Sequence, residues 1–141
     1  MILCLAALAG CGGPGGTAQF TTGYTAARGS LNAVLLDANA TLTSTPRKSA
    51  DQIATRMDAL ADRFGHDLAS LAALKPPATV ATAFVTLTTS LKRVESDLRA
   101  VSVAAKRRNL AGTVLAAENL DSDARAAADA ATAIKQKLYT R

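Results

Sequence analysis

The chain has 141 residues, of which 49% are hydrophobic but only 4% aromatic, with no tryptophan; 16 Lys and Arg stand against 11 Asp and Glu, a formal charge of +5. That length suits a single domain with one core. The alanine- and leucine-rich composition favours helices over strands, and the scarcity of aromatics argues against sites that stack sugars or single-stranded bases.

Residues 1–10 read Met1-Ile2-Leu3-Cys4-Leu5-Ala6-Ala7-Leu8-Ala9-Gly10, an uncharged apolar run followed by Cys11. A hydrocarbon core takes about 20 helical residues to cross, so this run is too short to span it and has the length of a signal-peptide apolar region. The segment Leu8-Ala9-Gly10-Cys11 resembles the lipobox of bacterial lipoproteins. The resemblance implies cleavage before Cys11, diacylglycerol and palmitate on that residue, and residence on the extracytoplasmic face of a bacterial membrane, in the cell envelope. Such leaders normally open with Lys or Arg, and none precedes the apolar run here. The plain alternative is that Cys4 and Cys11 are buried thiols of an N-terminal helix; the glycines that follow argue against it.

Gly12-Gly13-Pro14-Gly15-Gly16 is a poor helix former, since glycine loses the most backbone entropy and proline removes a donor. With residues 17–21 it predicts a flexible tether of about 15–20 Å. The expected organisation is therefore a signal peptide over 1–10, a lipidated cysteine and tether over 11–21, and a helical domain over 22–141.

Apolar residues then recur at spacings of three and four. Tyr24, Ala27, Leu31, Val34, Leu35, Ala38 and Leu42 form a first stripe, closed by Pro46. Ser49 reads as the N-cap of a second helix through Ile53, Met57, Leu60, Phe64, Leu68, Leu71 and Leu74, which Lys75-Pro76-Pro77 ends. A third stripe, Val80, Phe84, Leu87, Leu91, Val94, Leu98, Val101 and Ala105, spans roughly 30 residues of helix, about 45 Å. Asn109 as N-cap, with Gly112 weakening a continuous helix, sets the last turn. The fourth stripe is Leu110, Val114, Ala117, Leu120, Ala124, Ala127, Ala131, Ile134 and Leu138.

Four amphipathic helices with short links predict an all-α, antiparallel up-down-up-down four-helix bundle, monomeric, with Leu60, Leu91, Leu98 and Val114 in its core. An elongated coiled coil completed by oligomerisation is the alternative. The first helix is expected to be the shortest, which would leave part of a groove open. The arrangement of a double-proline turn between long helices behind a lipobox resembles small uncharacterised bacterial lipoproteins, a likeness that implies no activity.

Chemistry-bearing residues are sparse. A di-iron bundle uses Glu-x-x-His on two helices plus further glutamates; here Glu95, Glu118 and His66 are the whole supply of Glu and His. No cofactor or metal site is expected. His66, four residues after Asp62, falls on the polar side of the second helix. The carboxylate pairs Asp58 with Asp62 and Asp121 with Asp123 read as solvated surface, with Glu95 and Arg99 at ion-pair spacing. No nucleophile elbow surrounds any serine, so the chain reads as non-enzymatic.

Up-down-up-down topology brings the first and third turns to one end, and with them Arg47, Lys48, Lys106, Arg107 and Arg108, opposed by Asp51. The expected role is contact between this basic end and an envelope protein or anionic wall polymer, in a protein held to its membrane through lipid on Cys11, with no nucleic acid as partner. The competing expectation is a carrier of a small apolar or lipidic ligand in a bundle groove.

Overall fold

The computed structural model describes residues 14–44 and 48–139. Cys11, the leader, Pro46 and Arg47 lie outside the described residues. The described chain is an all-α bundle of α1 (Pro14–Thr43), α2 (Ala50–Ala72), α3 (Ala81–Lys106) and α4 (Leu110–Tyr139). The helices pack in chain order, α1 on α2, α2 on α3 and α3 on α4, in up-down fashion.

The first helix departs from expectation. It starts at Pro14, not near Thr22, and at 30 residues it is longer than α2, the shortest at 23. Proline at a first helical position loses no hydrogen bond, because that N–H has no intrahelical acceptor. The glycines of this segment, each costing about 1 kcal/mol in a helix, are offset by tertiary contacts further along. Phe20 is buried, stacks on Tyr24 with centroids 5.6 Å apart, and meets Phe84 of α3 edge-on at 5.5 Å. The expected tether thus contributes a core residue.

The local signals at the other ends hold. Ser49 caps α2 in a capping box: its hydroxyl accepts from the Gln52 N–H at 3.2 Å, and the Gln52 side chain accepts from the Ser49 N–H at 2.9 Å. After α2, the proline-bearing link leads to Val80, which precedes α3 without a side-chain cap. At the end of α3 the Arg108 N–H donates to the Ala105 carbonyl (2.9 Å) and the Asn109 N–H to that of Ala104 (3.0 Å), closing the turn around Arg108 with φ 52°. Asn109 then caps α4, its Oδ1 accepting from the Gly112 N–H at 3.0 Å. Gly112 makes room for that cap, since a Cβ there would meet Asn109 Nδ2 at 2.7 Å.

Phe64, Met57, Leu71, Leu98, Ile134 and Val94 are among the largest fully buried side chains, and Leu60 and Leu91 are buried as expected. Val114 is not: it is 50% exposed, and Leu110 on the same stripe is 72% exposed. Burial along α4 starts at Ala116 and Leu120. The apolar spacing is continuous in sequence, but the first turns of α4 lie at the end of the bundle, where α3 is the neighbour with extensive contact. Further along, Ala127, Ala130 and Ala131 are buried, and such small side chains let helices approach closely.

Candidate functional site

Helix ends set the composition of the basic end. The α3–α4 turn places Lys106, Arg107 and Arg108 at the negative pole of α3, where cations are favoured. Across from them, Lys48 precedes the start of α2. Lys48 and Arg108 line one cleft of about 420 Å³ together with Asp51, Ile53, Ala105 and Leu110. Of the expected cluster, Lys48, Lys106, Arg107 and Arg108 are thereby placed at one end, while Arg47 lies outside the described residues.

More carboxylate opposes these cations than the sequence suggests. Arg108 lies 3.8 Å from Asp51, both largely exposed, so that pair contributes little. Lys106 pairs with Asp58 of α2, and its hydrogen bond is the leading influence that holds the Asp58 carboxyl below the usual range. Arg107 and Lys48 have no ion-pair partner among the described residues.

Below this end, charged side chains link α2 to α3. Arg99 bridges Asp62 at 3.0 Å and Glu95 at 3.1 Å, and these hydrogen bonds, that to Glu95 foremost, raise its pKa further. Asp62 is thus engaged with Arg99, and His66 is exposed on the outer side of α2. On α1, Asp37 meets Arg56 at 3.3 Å, and Ser30 donates to Asp67 of α2 at 2.6 Å.

Two features were not anticipated. Asp97 of α3 faces Asp123 of α4; burial, then the neighbouring Asp123, pushes the Asp97 carboxyl above the usual range, and its Oδ2 is buried without a donor. The sequence held a signal, since Asp97 sits three after Val94 and four before Val101, and Asp123 three after Leu120 and four before Ala127. Both therefore flank the apolar stripes. The second feature is the Tyr24 hydroxyl, buried without a partner, whose pKa burial raises against the opposing influence of Arg28.

Between α1 and α4 a cleft of about 90 Å³ lies over Leu31, Leu71, Leu87 and Leu91, rimmed by Arg28 and Asn32. A wider depression of about 770 Å³ opens between the start of α1 and the link after α2, lined by Thr17, Phe20, Leu74 and Pro76. Among the described residues, no group of three or more His, Cys, Asp or Glu is placed to hold a metal ion, and no helix is long and apolar enough to cross a membrane. Compared with family models, with curated proteins and with solved structures, the chain matches none.

Proposed function

We propose that this protein is a non-enzymatic helical module, anchored to an envelope membrane by lipid on Cys11, whose basic end docks on an anionic partner. The observation that carries the reading is the shared cleft of Lys48 and Arg108, where two turns far apart in sequence contribute cations to one exposed surface. Four cations there meet two carboxylates, Asp51 and Asp58. An excess of this kind attracts polyanions and raises their rate of encounter.

The 30 residues of α1, about 45 Å at 1.5 Å per residue, separate its start from the basic end, so a bundle lying along its membrane brings both ends to the surface. The carrier alternative finds little room in the α1–α4 groove, where the cleft of about 90 Å³ is well below the roughly 300 Å³ at which ligand pockets begin; the depression of about 770 Å³ by the start of α1 is large enough, but Thr17, Gln19 and Lys75 give it a partly polar lining.

The test is binding of the chain to envelope polyanions across a salt series. Replacement of Arg47, Lys48, Lys106, Arg107 and Arg108 by glutamine is expected to abolish a salt-sensitive interaction with helix content unchanged. Absence of binding at low salt, or its survival in the replaced chain, overturns the reading.

A further inference from the structure

We infer that the anionic partner of the basic end is a lipid bilayer surface, and that Leu110, Val114 and Leu115 enter it. The inference rests on the proposed role of that end and specifies the partner.

The first two turns of α4 bury no side chain before Ala116, yet carry three large aliphatic groups: Leu110 is 72%, Leu115 59% and Val114 50% exposed. Leu110 and Val114 stand one turn apart on one face, and Leu115 widens that stripe. They directly follow the turn that holds Lys106, Arg107 and Arg108. A soluble polyanion satisfies the cations but leaves this apolar surface in water. The headgroup and acyl boundary of an anionic bilayer takes both, because amphipathic helix surfaces settle there through buried apolar area and electrostatic attraction together. The adjoining cleft sets the same kinds of group side by side, lined by Lys48 and Arg108, by the apolar Ile53, Ala105 and Leu110, and by Asp51.

Arg108 supplies an independent observation. Its φ of 52° is the left-handed conformation in which a side chain is disfavoured and glycine is at ease. A cation therefore occupies a position where local backbone energetics favour glycine, and its only ion pair among the described residues is the exposed 3.8 Å contact with Asp51. Helices commonly end in this conformation, so the turn accounts for it, and what distinguishes this one is the cation standing in place of glycine.

The experiment compares full-length Cys11→Ser chains, which lack the lipid but share the leader, by co-sedimentation with two kinds of vesicle. One is phosphatidylcholine alone; the other is phosphatidylcholine and phosphatidylglycerol in equal amounts. Soluble polyphosphate is the third probe. Binding is expected to be confined to phosphatidylglycerol vesicles and to weaken at least about tenfold when Leu110, Val114 and Leu115 are all replaced by glutamine. Arg108→Gly is expected to weaken it about fivefold without lowering the melting temperature, which separates loss of binding from loss of fold. Since the chain has no tryptophan, Leu110→Trp reports insertion directly, by a blue shift of its emission on phosphatidylglycerol vesicles. Vesicle binding unaffected by the triple glutamine replacement, a Leu110→Trp emission that does not shift, or binding to polyphosphate with none to vesicles overturns the lipid assignment while leaving a charge-driven contact intact. Binding to none of the probes overturns both.

Discussion

Asp97 of α3 and Asp123 of α4 confront each other across the helix interface, and the buried Oδ2 of Asp97 has no donor to bond. Protonating one carboxyl supplies that donor and removes the repulsion. Its raised folded-state pKa means that the native protein holds this proton more tightly than the unfolded chain. The stabilising contribution is therefore complete below the unfolded carboxyl value and is lost as pH rises through the folded one. Asp97→Asn is expected to raise stability at neutral pH by about 0.5–1 kcal/mol, allowing for partial exposure, and to lose that advantage in acid. Asp58, whose pKa is lowered by Lys106, acts with the opposite sign in both chains. Denaturant melts of the two proteins across the acid range check the difference.

Two substitutions to aspartate on apolar stripes should separate sharply. Leu91 is 5% exposed, and an unpaired carboxylate there costs several kcal/mol against a total stability of about 5–15, enough to abolish a cooperative thermal transition. Val114 is 50% exposed in the early turns of α4, where the positive helix pole favours an acid. Val114→Asp is expected to change stability by no more than about 0.5 kcal/mol, as followed by circular dichroism.

Glycines offer a second contrast. A Cβ at Gly29 meets nothing within 4 Å, so Gly29→Ala is expected to stabilise the protein by about 0.5–1 kcal/mol through α1 propensity. At Gly112 the added carbon meets Asn109 Nδ2 at 2.7 Å. Displacing that cap costs about 1 kcal/mol, so Gly112→Ala is expected to be neutral or destabilising. Urea midpoints of the two variants give the comparison.

The anchor has its own test in a bacterial expression host. Wild-type protein is expected to lose residues 1–10 and to partition with membranes, because each acyl CH₂ buried contributes about 0.8 kcal/mol. Cys11→Ser is expected to accumulate as an unprocessed, unlipidated precursor, read by mass spectrometry. Normal processing of that variant would contradict the lipidation proposal.

Helix number, the Ser49 and Asn109 caps, and core positions such as Leu60, Leu91 and Leu98 were legible because each rests on spacing or on a cap within a few residues. Two departures came from tertiary context. Glycines at 15 and 16 signalled a tether, but Phe20 packed between Tyr24 and Phe84 outweighs that local cost and extends α1 back to Pro14. Spacing alone put Leu110 and Val114 inside, since a periodic stripe does not reveal where its neighbours end. Cations close in sequence to turns were readable as a cluster, whereas the pairing of Lys106 with Asp58 depends on the register of α3 against α2.

The order of packing, each helix chiefly against those adjacent to it in the chain, bears on how the protein is made. Contacts that join near neighbours along the chain require little loop closure, and folds dominated by them form in microseconds to milliseconds. Synthesis at about 5–20 residues per second is far slower, and a chain exported by the proposed leader likewise emerges N-terminus first on the far side of its membrane. Each hairpin can therefore close soon after its second helix emerges: α1 with α2 first, α3 onto that pair, α4 last. The growing chain exposes one unfinished apolar face at a time, which limits the surface on which two nascent copies can misassociate.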